Sequence, residues 1–212
     1  MNLPLSEQMR DEYGGWENMR ADCLELGLDG VEGIWSGGDI PADFPKDLLA
    51  GYHLTFFPDW LDFYREDRKR LLYKFGSMDA VAWYYGGRTP ETLLSLYRAD
   101  LQRAAALDAA YVVFHVTDVS IEENYTYRWL HTNEEIIDAA AELINLLLGD
   151  ADWPFAFLVE NQWWPGFTLT EPENTARLLE GINRVLEDMI GRGTGFLRRV
   201  ASGRYIAVVE ER

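Results

Sequence analysis

The stretch that decides the fold is Phe155-Ala156-Phe157-Leu158-Val159-Glu160-Asn161-Gln162-Trp163-Trp164-Pro165-Gly166. Its short apolar and aromatic run reads as a buried strand. The run ends in a carboxylate, an amide pair and two tryptophans, and Pro-Gly then breaks the chain. Side chains alternate across a strand, so Ala156, Leu158 and Glu160 share one face. If that face lines a cavity, Glu160 opens onto it at the strand's carboxyl end. Active sites of α/β barrels and open α/β sheets form at those ends. A buried glutamate there requires a cation, a hydrogen-bond network or a substrate as partner.

Working outward, helical patterns alternate with apolar strands. Residues 1–5 read as a short first strand, which Pro4 restricts to an edge or an end. Residues 7–26 are helical, with Gly14-Gly15 as a weak point and Trp16, Met19, Cys23 and Leu26 on one apolar face. Strands are expected at 30–35, 51–57 and 111–117. Between the last two lies a long region: a helical stretch from about 58 to 75, a short helix towards Tyr85, and a helix opened by Thr89-Pro90-Glu91. Thr132-Asn133-Glu134-Glu135 fits a capping box for a helix ending at Gly149, and Thr170-Glu171-Pro172-Glu173 fits a second. Residues 205–210 have the composition of a further strand. Strand–helix alternation implies parallel strands joined by right-handed crossovers. The class is therefore α/β. Pattern alone leaves barrel and doubly wound sheet open, although no Gly-x-Gly-x-x-Gly or Gly-x-x-x-x-Gly-Lys turn follows any strand.

The bulk numbers narrow the function. The 212 residues suffice for one domain with a sizeable core, and a 48% hydrophobic fraction fits a globular chain. A formal charge of −17 argues against nucleic-acid or anionic-membrane partners. Arg65, Arg68, Lys69 and Arg70 read as a solvated helical face. The single cysteine, Cys23, excludes an internal disulfide and a Cys-based zinc cluster, and is expected in the core. No secretory leader pattern and no run of membrane-spanning length is seen, so a cytoplasmic protein is expected.

Three expected strands carry a metal-competent side chain near a carboxyl end: His53, His115 and Glu160. Imidazole nitrogen and carboxylate oxygen suit zinc, manganese or cobalt. Each histidine alone also reads as a hydrogen-bonded core residue. Glu32 is a charge in an otherwise buried strand, placed to bond a substrate hydroxyl or brace a neighbour. Asn161, Trp163 and Trp164 follow Glu160, and the two indoles read either as pocket walls for the C–H faces of a sugar or as ordinary packing. His131, beside a helix start, is expected at the surface. Trp35, Trp60, Trp83 and Trp129 are expected mostly in the core.

Taken together, Gly-Leu-Asp-Gly-Val-Glu-Gly-Ile-Trp (27–35), Gly-Tyr-His-Leu-Thr-Phe (51–56), Tyr-Val-Val-Phe-His-Val-Thr-Asp (111–118) and Phe-Leu-Val-Glu-Asn (157–161) resemble the xylose-isomerase-like TIM-barrel superfamily. That family holds sugar-phosphate isomerases and epimerases and the apurinic-site endonucleases. The resemblance covers residues 1–182. It implies a (β/α) TIM barrel with a divalent metal (Mn, Co, Zn or Mg) at its mouth. It implies Glu160 as metal ligand and acid/base, His115 and His53 as further metal ligands or substrate contacts, and a small sugar or polyol as substrate. The family's later Asp-Thr-Gly-His strand, and the later strands bearing a His and a Glu, have no counterpart here. The expectation is thus a partial or shortened barrel over 1–182 and a divergent tail over 183–212. Two functions follow: a sugar (phosphate) isomerase or epimerase whose metal binding is weak, or a catalytically impaired fragment that associates, as a homo-oligomer or otherwise, through open strand edges. A phosphodiester hydrolase ranks behind both, given the charge.

Overall fold

A computed structural model of the chain describes residues 2–35, 39–149, 152–161, 171–190 and 206–210. It is an α/β structure built on a six-stranded sheet, β1 (Asn2–Leu5), β2 (Val31–Trp35), β3 (Leu49–His53), β4 (Tyr111–His115), β5 (Ala156–Asn161) and β6 (Ile206–Glu210). The strands lie in the order β1-β2-β3-β4-β5-β6, and every pairing is parallel. That order resolves the alternative left by the pattern. A doubly wound sheet reverses direction at a switch point, whereas here each strand is added beside its predecessor. With crossovers of one hand, successive connections fall on one face of the sheet. This is the winding of a (β/α) barrel, carried through six strands, with no β1–β6 pairing among the described residues.

Among the described residues, nine α-helices and one short 3-10 helix (Lys46–Leu48) connect the strands. Between β1 and β2 come α1 (Glu7–Tyr13) and α2 (Trp16–Glu25). They part at Gly14 and Gly15, whose φ values of 73° and 124° suit glycine alone. Between β3 and β4 lie α3 (Trp60–Tyr64), α4 (Arg68–Phe75), α5 (Met78–Tyr85) and α6 (Pro90–Ala106). Then come α7 (Ile121–Thr126), which the sequence pattern did not disclose, α8 (Asn133–Leu148) and α9 (Pro172–Ile190). Thr132 and Glu135 form the expected capping box on α8. Thr89 caps α6 by backbone position only, without a side-chain hydrogen bond. Thr170, the first residue of the other expected box, lies outside the described residues.

The core sits between the sheet and the helices. Tyr52, Val112, Phe114, Phe157 and Val159 are all at most 1% exposed. Phe114 meets Tyr97 of α6 at 5.3 Å between ring centroids and Phe157 at 5.8 Å, which fixes this face as the helix-covered one. Each such side chain contributes about 1.5–3 kcal/mol by leaving water. The opposite face is mixed: Glu32, Tyr111, His115, Ala156 and Leu158 are half-buried there. Cys23, Trp35 and Trp60 are buried, as expected. Trp83 is not: it is 85% exposed near the end of α5, and Trp129 is 37% exposed in the loop before α8. Their helix and loop present other side chains inward, Val81 and Tyr85 in the case of α5.

Candidate metal centre

The sheet register assembles the site. Val113 of β4 pairs with His53 of β3, and His115 pairs with Glu160 of β5. His115 and Glu160 are therefore direct cross-strand neighbours, and His53 lies one strand over and one pleat down, on the same face. The expected convergence is present. His53 Nε2 lies 2.9 Å from His115 Nε2 and 3.3 Å from Glu160 Oε2, and His115 Nε2 lies 2.5 Å from Glu160 Oε2. His53 is 2% exposed and Glu160 8%.

One tautomer of His53 is fixed. Its Nδ1 donates to the Leu54 carbonyl at 2.8 Å, so in the neutral ring Nε2 carries a lone pair. That lone pair points at another imidazole nitrogen and at a carboxylate. Three donor atoms so arranged need a proton or a cation between them. A metal–donor bond of about 2.0–2.1 Å places neighbouring ligand atoms roughly 3.0–3.4 Å apart. The His53 contacts match that spacing, and the His115–Glu160 contact needs only a small opening. Two imidazoles and one carboxylate thus fit a divalent ion, and a histidine held through its other nitrogen by a carbonyl is the usual support for such a ligand. Among the described residues, this is the one group of three or more such side chains with metal-binding spacing.

Electrostatics agree with the geometry. Burial works to raise the Glu160 carboxyl, but hydrogen bonds from His115 and His53 outweigh it and hold the group at about 2. Burial disfavours the His53 cation, yet the bonds to Glu160 and to the Leu54 carbonyl, with the Glu160 and Glu32 charges, raise it above the ordinary imidazole value.

Neighbouring elements hold the triad in place. Asp100 of α6, 2% exposed, accepts from Tyr52 Oη at 3.1 Å and from Thr55 N at 2.8 Å, bracketing His53 on both sides. Phe56 stacks on His115 with ring centroids 4.6 Å apart and meets His53 edge-on, forming a half-open wall that sequence reading did not single out. Glu32 does not reach the triad. It acts instead on Tyr111, whose phenol is pushed up to about 12 by burial and by the Glu32 charge. Asn161 ends β5 beyond Glu160, and its side chain is not among those described. Trp163 and Trp164 lie outside the described residues.

A second polar cluster escaped sequence reading. His131 is expected at the surface, but its side chain is only 9% exposed, and Nε2 lies 2.9 Å from Asp62 Oδ1. Asp62 and Asp59 flank Lys74 Nζ at 2.7 and 2.5 Å. Asp118 accepts from Leu61 N at 3.1 Å. Burial pushes the Asp118 carboxyl up to about 7, against the pull of Lys74. These groups pin α3 and α4 onto the loop after β4. A cavity of about 400 Å³ opens onto Asp62 and His131, away from the triad. Its guanidinium groups are already engaged, Arg65 with Glu142 and Arg70 with Asp67 and the Leu130 carbonyl. Nothing in the sequence links these residues, because their spacing follows no helix or strand period.

Fold and site together define an α/β protein with a metal-competent triad at the carboxyl ends of three adjacent parallel strands. Among known proteins, no family model matches the chain and no curated protein matches it.

Proposed function

We propose that the chain is a metal-dependent isomerase or epimerase acting on a small sugar, sugar phosphate or polyol. The observation that carries this reading is the meeting of His53 Nε2, His115 Nε2 and Glu160 Oε2 at the carboxyl ends of β3, β4 and β5. His53, His115 and Glu160 would hold a divalent ion, Mn, Co, Zn or Mg. Such an ion, when bound, supplies Lewis acidity to the oxygens of an α-hydroxy carbonyl. Glu160 would move a proton at the carbon beside that carbonyl. Hydrogen bonds from His115 and His53 keep it ionised in the free protein, the form that a proton acceptor must have. Phe56 would cover one side of the substrate and exclude water.

Titration calorimetry with manganese, cobalt and zinc tests the first half of this reading. Wild-type protein is expected to bind one equivalent, and Glu160→Gln to lose at least tenfold in affinity, since an amide is a poor ligand. Proton exchange into solvent from the α-carbon of ketose and aldose probes, absent in Glu160→Gln, tests the second half. No metal binding by the wild type would sink the assignment.

A second reading has its own support. β1 and β6 each have one strand partner among the described residues, so the sheet keeps two edges. Open edges invite pairing with another chain. On this reading the protein is a catalytically impaired barrel segment that works through association. A folded protein that binds no metal yet sediments as a dimer would favour it.

A further inference from the structure

Glu32 stands apart from the triad but is not independent of it. In the sheet register Glu32 pairs with Gly51, and Gly51 with Tyr111, so the three form one row across β2, β3 and β4. The row lies on the same face as the triad, two residues before His53 along β3. Strand spacing of about 4.8 Å and a rise of about 3.3 Å per residue put the Glu32 and His53 backbones roughly 8 Å apart. Gly51 is what makes the row work. A Cβ there would meet the Tyr111 ring at 2.2 Å, so the ring lies directly against the bare backbone of β3. From that position its phenol lies near enough for the Glu32 charge, with burial, to raise it.

We propose that Glu32 is a second carboxylate of the cation site, facing the ion without ligating it. The inference rests on the reading of the triad as a cation site. Glu160 alone leaves a divalent ion with one uncompensated positive charge. Glu32 brings the total to two negative charges, matching a divalent ion and over-matching a monovalent one. Glu32 is thus a positioning residue that acts through charge, and the cation it favours is divalent.

The test is manganese affinity by titration calorimetry, measured at two ionic strengths on wild type and four variants. Glu32→Gln keeps the shape and removes the charge. It is expected to weaken binding about tenfold, as loss of a group just outside the ligand set does, and to flatten the salt dependence. Glu32→Asp should recover most of the affinity. Tyr111→Phe keeps the charge and should stay within about threefold of wild type. Glu17→Gln, an exposed change on α2 that alters net charge equally, should bind as wild type does. Wild-type affinity in Glu32→Gln overturns the proposal, and so does an equal loss in Glu17→Gln, which would make the effect one of overall charge. A tenfold loss in Tyr111→Phe, which keeps the ring and the Glu32 charge, also overturns it, by tracing the effect to the phenol hydroxyl instead of that charge. If Glu32→Gln does not fold, Glu32→Asp decides: its binding must remain within about threefold. Failure of these variants while Glu160→Gln still abolishes binding sinks this inference alone. Absence of binding in the wild type sinks it together with the triad reading.

Discussion

Glu160 and His53 shift in opposite directions, and each shift sets a pH window for stability. The Glu160 carboxyl is depressed to about 2 from an ordinary value near 4.5. Its contribution is therefore complete above about pH 4.5 and is lost as pH falls towards 2. His53 is raised, so its contribution is complete below the ordinary imidazole value of 6.5 and is lost as pH rises through its native value. Glu160→Gln removes the common partner. Acid unfolding followed by circular dichroism should show a steep limb between pH 4.5 and 2 in the wild type and a flatter one in the variant. Coincident curves would mean that the imidazoles do not bond the carboxylate in the folded state. These three residues were legible in the sequence because each is a polar group on the alternating face of an apolar strand, near its carboxyl end. The Asp62–His131–Lys74 network was not, since residues 62, 74 and 131 meet only after α3, α4 and the loop before α8 have packed. His131 reads as a surface residue for the same reason.

Among the elements, α6 bears most directly on the site. Its Asp100 is buried and accepts hydrogen bonds from Tyr52 Oη and Thr55 N on either side of His53, while Arg103 supplies its counter-charge at 2.7 Å. Asp100→Ala would leave a buried amide, a phenol and a guanidinium short of an acceptor. The expected cost is about 3 kcal/mol of stability, read by urea unfolding, with manganese affinity falling as His53 loosens. An unchanged midpoint would show that α6 does not anchor β3. The helices and strands themselves were legible from period and caps, as with the Thr132–Glu135 capping box. Strand ends were less so. Residues 54–57 continue the apolar pattern of β3, but the ladder stops at His53, and the Thr55 amide turns to Asp100 instead of a neighbouring strand. The short α7 has no apolar stripe long enough to betray it, although Ser120 and Glu123 form a capping box at its start.

For the whole molecule, the sequential order of parallel strands separates a singly wound barrel segment from a doubly wound sheet, and only the order could do so. The alternation of strands and helices is common to both. The tail strand, residues 206–210, joins the sheet beside β5, in line with its composition. The two sheet edges make a prediction at this scale. Sedimentation over a hundredfold range of concentration should reveal reversible self-association, and a single monomeric species throughout would show that the edges are closed to a second chain. Sequential winding has one more consequence. Each strand can dock on the one synthesised just before it, so assembly can follow the chain off the ribosome. The two imidazoles are then in place before their carboxylate has emerged, and the centre takes its final charge only when residue 160 arrives. A nascent chain stalled short of that point would carry the two bases without the acid that balances them.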